Sequence, residues 1–251
     1  TLAWAQKNGW VWKIPTQQRY GCGYVYSDYF TDEAGAISEL RESLGYDVEP
    51  LRNIKFNCGR LEKFWVKNVI GAGLAGSFLE PLQATSIHTT IVQLDMFLHH
   101  YCYGTKEQTL LPTAMDKYND FVGKMVDEFR DLIQIHYMTK RDDSPFWKFC
   151  RNELKKTDKT KYVLEAAKHR CLSMLDFEMY HGSASWGVWG WTLAGLDIVN
   201  KDNCMATIKN FGLELSAKNT FDMINRRNRI SAVSLMNYDE FMKVLRERKL
   251  K

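Results

Sequence analysis

The 251-residue chain contains no run of about 18 apolar residues, so nothing in it reads as a membrane-spanning helix. It shows no signal-peptide pattern either. Its six cysteines, at 22, 58, 102, 150, 171 and 204, are far apart. They form no C-x-x-C pair and have no histidine at ligand spacing, and His99-His100 shows no metal spacing. This excludes a zinc framework and a dense disulfide scaffold, and no metal is expected. Reduced thiols and the missing targeting signals predict a cytoplasmic protein. Internal repeats and low-complexity linkers are also lacking. The net charge is +4, spread along the chain apart from Arg226-Arg227-Asn228-Arg229 and a basic tail at Arg246–Lys251. No basic stripe interleaves with aromatics, which argues against a nucleic-acid partner.

What is present is globular in character: 45% hydrophobic and 25% charged residues. Aromatics reach 13%, with eight tryptophans, and suit either a bulky core or a pocket for a flat ligand. Thr1–Lys7 reads as the last turns of a helix stopped by Asn8-Gly9. Trp10-Val-Trp12-Lys-Ile14-Pro15 reads as a strand with Trp10, Trp12 and Ile14 on one face, paired with a second strand over residues 21–27. Residues 32–44 form a helix closed by Gly45, and 53–59 and 64–70 read as two more strands.

Beyond Gly71 the pattern is helical. Ile87, Ile91, Leu94 and Leu98 make one apolar stripe. A long helix from Pro112 carries Tyr118, Val122, Met125, Phe129, Leu132 and His136, so His136 reads as a core histidine. Ser144-Pro145 is an N-cap with proline at the first helical position. Helices are expected over residues 161–176, 219–230 and 238–248, with Asn237 capping the last, and Trp186–Leu196 is a Trp- and Gly-rich apolar run. The expected architecture is α+β, predominantly helical, with a β-containing part over 1–80 and a helical part over 81–251.

Between these parts lies Gly71-Ala-Gly73-Leu74-Ala-Gly76, followed by Pro81, Gln83, Thr85 and Ser86. The glycines imitate a dinucleotide fingerprint, and Asp95 lies at a suitable distance. A Rossmann unit would need the helix to start within the glycines and continue, but Pro81 would break it, and Asp95 falls inside an amphipathic helix. Two readings remain: a structural glycine turn, or a loop bringing backbone against a flat cofactor. The following helix N-terminus suits an anion or an electron-rich ring.

Three blocks together resemble the flavin-dependent tryptophan halogenase family: Trp10-Val-Trp12-Lys-Ile14-Pro15 (W-x-W-x-I-P), Asn68–Gly71 through Phe78-Leu-Glu80-Pro81-Leu-Gln83-Ala-Thr85-Ser86-Ile87, and Arg130–Tyr137 with Arg141–Trp147. The last roughly fifty residues match poorly. The resemblance implies an enzyme using reduced FAD from a separate flavin reductase, with O2 and a halide ion. It would make hypohalous acid that reaches a small electron-rich aromatic, such as tryptophan or another indole, through an internal tunnel. It also implies the C-terminal part of an FAD/NAD(P)-binding-like flavin monooxygenase/halogenase fold. By position, Leu74, Ile87 and Gly71 would face the flavin, and Thr85 and Ser86 would bind halide. Trp10, Trp12, Ile14 and Pro15 would line the flavin side of the tunnel. Trp189 would form a substrate wall, with Trp186 and Trp191 as competitors for that role. Gln83 occupies the position of the family's catalytic Glu, and an amide cannot accept the ring proton. Ser86 stands where the family usually has Gly.

The family's N-terminal glycine fingerprint and catalytic Lys are not in this sequence, which opens at Thr1 in an already periodic stretch. The expectation is therefore the C-terminal portion of such an enzyme, inactive alone. Two alternatives stand beside it: a related flavin-dependent monooxygenase, and a catalytically decayed homologue.

Overall fold

The computed structural model describes residues 1–102, 111–177 and 186–248. The chain divides into two compact units, Thr1–Lys168 with Leu172–Val199 and His169–Cys171 with Asn200–Lys251. The change from strands to helices near residue 80 lies inside the first unit.

The first unit opens with an antiparallel sheet of β1 (Leu2–Ala5), β2 (Gly9–Pro15) and β3 (Tyr20–Tyr26), with β2 central. The helix expected at the N-terminus is instead β1, registered Leu2↔Lys13 to Ala5↔Trp10. Its alanines and leucine favour a helix locally, but the open edge of β2 satisfies their backbone groups, and pairing overrides propensity. Asn8-Gly9 turns a hairpin rather than stopping a helix. Gly9 is required there, because a Cβ would sit 2.0 Å from the Val25 carbonyl oxygen. Helix α1 (Glu33–Leu44) follows the sequence pattern at both ends: the Asp32 carboxylate accepts from the Gly35 N–H at 2.8 Å, and Gly45 closes it at φ 74°.

The next segment is less regular than its composition suggests. Of the strand expected over 53–59, only Gly59 pairs, in β4 (Gly59–Arg60) with β7 (Ser77–Phe78). The strand expected over 64–70 folds on itself as β5 (Trp65–Val66) and β6 (Val69–Ile70), turning at Lys67 with φ 55°. Asn119 holds this hairpin, accepting from the Trp65 N–H at 2.7 Å and donating to its carbonyl at 2.9 Å.

Helix α2 (Thr85–Tyr101) and the 24-residue helix α3 (Pro112–Ile135) build the rest of the core. Tyr118, Val122, Met125, Phe129 and Leu132 of α3 are buried as the stripe predicted. They pack with Phe64 and Trp65, with Val163 and Ala167 of α5 (Asp158–His169), and with Trp189 and Leu193 of α6 (Trp186–Gly195). Between α3 and α5 lies α4 (Pro145–Asn152). The helix expected over 161–176 ends at His169. A separate turn, Met174–Asp176, is fixed by a capping box between Ser173 and Asp176.

The apolar stripe of α2 faces outward. Ile87, Ile91, Leu94 and Leu98 are all exposed, and the buried residues are Thr85, Thr89 and Gln93, spaced by four. The second unit holds α7 (Lys201–Asn210), α8 (Glu214–Ser234) and α9 (Tyr238–Arg248), with Asn200 capping α7 and Asn237 bonding the Glu240 N–H at 3.0 Å. No residue of α8 is buried.

Candidate functional site

The glycine turn has a structural explanation in this chain. Gly73 sits at φ 59° in a short 3-10 turn, Gly73–Ala75. A Cβ on Gly76 would lie 2.6 Å from the Gly71 carbonyl oxygen and 2.9 Å from the Phe64 ring. The loop therefore doubles back on itself at backbone distance, which only glycine permits. Its tip, Leu74, is 76% exposed. No α-helix begins within the glycines, in agreement with the rejection of a dinucleotide fingerprint.

The chain next reaches Gln83 (φ 66°, ψ −1°) and Ala84 (φ 49°, ψ 38°), two successive non-glycine residues in left-handed conformations. Each such residue costs about 1 kcal/mol or more, so the surroundings must hold them. The kink separates a 3-10 turn, Leu82–Ala84, from the start of α2 at Thr85. Ala84 is the N-cap and makes no side-chain cap, so the first N–H groups of α2 are left for another acceptor. Thr85 is buried, Ser86 is half-buried and Ile87 is 74% exposed. The Gln83 side chain reaches His136, with Nε2 to Nε2 at 2.6 Å, while His136 Nδ1 lies 2.9 Å from the Leu132 carbonyl oxygen. His136 is thus half-buried at the end of the α3 stripe and engaged with the site, beyond the core role its spacing suggested. Burial is the main cause holding its pKa below the ordinary histidine value.

One residue on, Tyr137 donates a hydrogen bond to Glu80 Oε2. Glu80 Oε1 is buried and has no hydrogen-bond partner among the described residues. Burial pushes this carboxyl up to about 7, against the opposing effect of the Tyr137 hydroxyl. The same burial, with the Glu80 charge second, pushes the Cys150 thiol up to about 11, so that thiol stays protonated. Tyr137 meets the Trp10 ring edge-on at 6.2 Å and stacks on Trp147 at 6.1 Å. Trp10 also meets Trp147 at 5.9 Å.

The Arg141–Trp147 block works as a clamp on the sheet. Arg141 donates to the Ala5 carbonyl at 3.0 Å, forks onto Asp143 at 2.8 and 2.7 Å, and lies 4.7 Å over the Trp147 ring. Ser144 caps α4 and donates to the Lys7 carbonyl at 2.6 Å, and Trp147 Nε1 donates to the Gln6 carbonyl at 2.7 Å. The Trp strand and the kinked loop thus meet through Tyr137, which touches Trp10 on one side and Glu80 on the other.

Among the sequence-predicted residues, Gly71, Leu74, Gln83, Thr85, Ser86 and Ile87 fall on one continuous turn-and-helix segment. On β2, Trp12 is half-buried, and Ile14 and Pro15 are exposed. Trp189 is fully buried against Phe177, at 5.5 Å between rings, whereas Trp186 and Trp191 are exposed. Tyr137 and the contact of His136 with Gln83 were not singled out from the sequence. Their adjacency within the His136-Tyr137 block was the available signal. Among the described residues no group of three or more His, Cys, Asp or Glu could hold a metal.

Solved structures of flavin-dependent halogenases superpose on most of the chain. The tryptophan 6-halogenase SttH of Streptomyces toxytricini superposes with a TM-score of 0.81 at 25% identity, covering 96% of this chain and 46% of that one. The flavin-dependent halogenase Xcc4156 of Xanthomonas campestris gives 0.68 at 28% identity, covering 79% of this chain and 39% of its own. The family model described as tryptophan halogenase matches residues 1–207, and the chain belongs to that family. Among curated relatives, tryptophan 7-halogenase RebH of Lentzea aerocolonigenes is 38% identical over 161 residues, 63% of this chain and 29% of the relative. The chain thus spans under a third of that relative's length.

Proposed function

We propose that this chain forms the halide- and flavin-facing portion of a flavin-dependent halogenase acting on an electron-rich aromatic of the tryptophan or indole class. The observation that carries this reading is the uncapped start of α2 immediately after the left-handed pair Gln83-Ala84. The N–H groups of Thr85 and Ser86, at the positive end of the helix dipole, would hold a halide. The residues would suit a flat ring as well: Leu74 on the glycine turn and Ile87 in the first turn of α2 are exposed apolar side chains, and Gly71 keeps the loop slim. When bound, reduced FAD would supply, with O2, the oxidising equivalents that convert halide to hypohalous acid. Trp10 and Trp12 would wall the path between flavin and substrate, Trp10 held in place by Tyr137 and Trp147. Trp189 would support the substrate wall from the core. The dinucleotide fingerprint and the essential lysine would come from further sequence of a longer protein, and the chain alone would not turn over. A separate flavin reductase would deliver the reduced cofactor.

The test is turnover by the full-length protein with reductase, FAD, NADH and chloride, bromide or iodide, read as halogenated indole by mass spectrometry. Halogenated product is expected. Oxygenated product made without halide would instead support the monooxygenase reading. Ser86→Gly, by widening the anion site, is expected to raise turnover with the larger halides relative to chloride.

A further inference from the structure

The Gln83–His136 contact has a defined polarity. The Leu132 carbonyl oxygen can only accept, so the His136 Nδ1 atom, 2.9 Å away, carries a proton. In a neutral ring Nε2 is then a lone-pair acceptor, and the group 2.6 Å from it must be the Gln83 NH2. An amide held by its nitrogen turns its oxygen the other way. Gln83 is an exposed residue, so an oxygen turned away from His136 is open to a donor from outside the chain. No carboxylate pairs with the imidazole among those residues, and Glu80, three positions before Gln83, is bonded to Tyr137 instead.

We infer that His136 is a positioning residue that locks the Gln83 carboxamide with its oxygen outward, as an oriented acceptor for an N–H or ammonium donor in the site. This rests on the halogenase reading for the site's purpose but not for the geometry. The outward oxygen reproduces the hydrogen-bonding half of a carboxylate's role and omits its proton-accepting half. The imidazole lone pair, taken up by the amide, is withheld from acting as a base. The pair is neutral at both members. A carboxylate at position 83 would instead require a proton on Nε2, giving an imidazolium between the carboxylate and the Leu132 carbonyl. Exchange of Glu for Gln here therefore leaves the net charge of the pair unchanged, because the histidine gives up a proton along with the acid.

The experiment is 15N NMR of the ring nitrogens of the histidines in the chain itself, with His136 assigned by loss of its signals in His136→Asn. The expected result is the Nδ1–H tautomer for His136 at neutral pH, the less common form of free histidine. Gln83→Glu is expected to raise the proton affinity of His136 at least about tenfold, as an adjacent opposite charge does. An Nε2–H tautomer in the unmodified chain, or a titration unmoved by Gln83→Glu, would overturn the inference. None of these measurements needs turnover, so they stand or fall separately from the halogenase assignment.

Discussion

Glu80 combines a buried carboxyl, a tyrosine donor on one oxygen and no partner on the other among the described residues. Its folded pKa of about 7 lies above the ordinary 4.5. Between these values the folded chain binds more protons than the unfolded one, so stability falls as pH rises through this window and levels off above it. The span corresponds to a loss of about 3 kcal/mol as an upper figure. Glu80→Gln keeps an acceptor for Tyr137 but cannot ionise. It is expected to abolish this part of the pH slope, which urea unfolding at pH 5 and pH 8 would measure. A variant that retained the full slope would place it elsewhere. At this scale the sequence was most and least legible in the same segment. Gln83, Thr85 and Ser86 could be singled out by position, but the left-handed backbone at Gln83 and Ala84 could not, because neither residue favours it. The contact with His136 is set by a fold that brings residues 53 positions apart together.

Among the elements, those that open on an N-cap formed as read: α1 from Asp32, closed by Gly45, α4 from Ser144-Pro145, and α9 after Asn237. Two segments without an N-cap did not. Residues 1–7 had only the Asn8-Gly9 stop signal, which serves a hairpin equally well, and took the conformation offered by β2. Residues 53–58 had strand-like composition but found no pairing partner. Replacing Ser144 with Ala removes the cap of α4 and the bond to the Lys7 carbonyl together. A loss of about 1–2 kcal/mol is expected by chemical denaturation, more than a cap alone accounts for on average. Gly76→Ala forces a Cβ against the Gly71 carbonyl and the Phe64 ring, and is expected to cost about 1–3 kcal/mol. Gly59→Ala meets nothing within 4 Å and serves as its control.

For the whole molecule, the periodicity of α2 located its apolar stripe but not the side on which it would be covered. Ile91, Leu94 and Leu98 face outward, while the polar Thr85, Thr89 and Gln93 are buried. Periodicity reports that a face is apolar, and only the rest of the fold says what lies against it. Apolar side chains exposed along one helix face favour association in water. The chain on its own is expected to bind a hydrophobic dye and to self-associate with rising concentration. Substituting Ile91, Leu94 and Leu98 with glutamine should suppress both in light scattering at little cost to the unfolding midpoint, since about half or more of each side chain is exposed and glutamine is a good helix former. The clamp at Arg141–Trp147 has another consequence, one of timing. Its bonds to Ala5, Gln6 and Lys7 join residues 136, 141 and 137 positions apart. At ordinary translation speeds, that stretch takes on the order of ten seconds to synthesise. The first strands therefore leave the ribosome well before the residues that fasten them exist, and the nascent sheet must wait, unlatched, for its clasp.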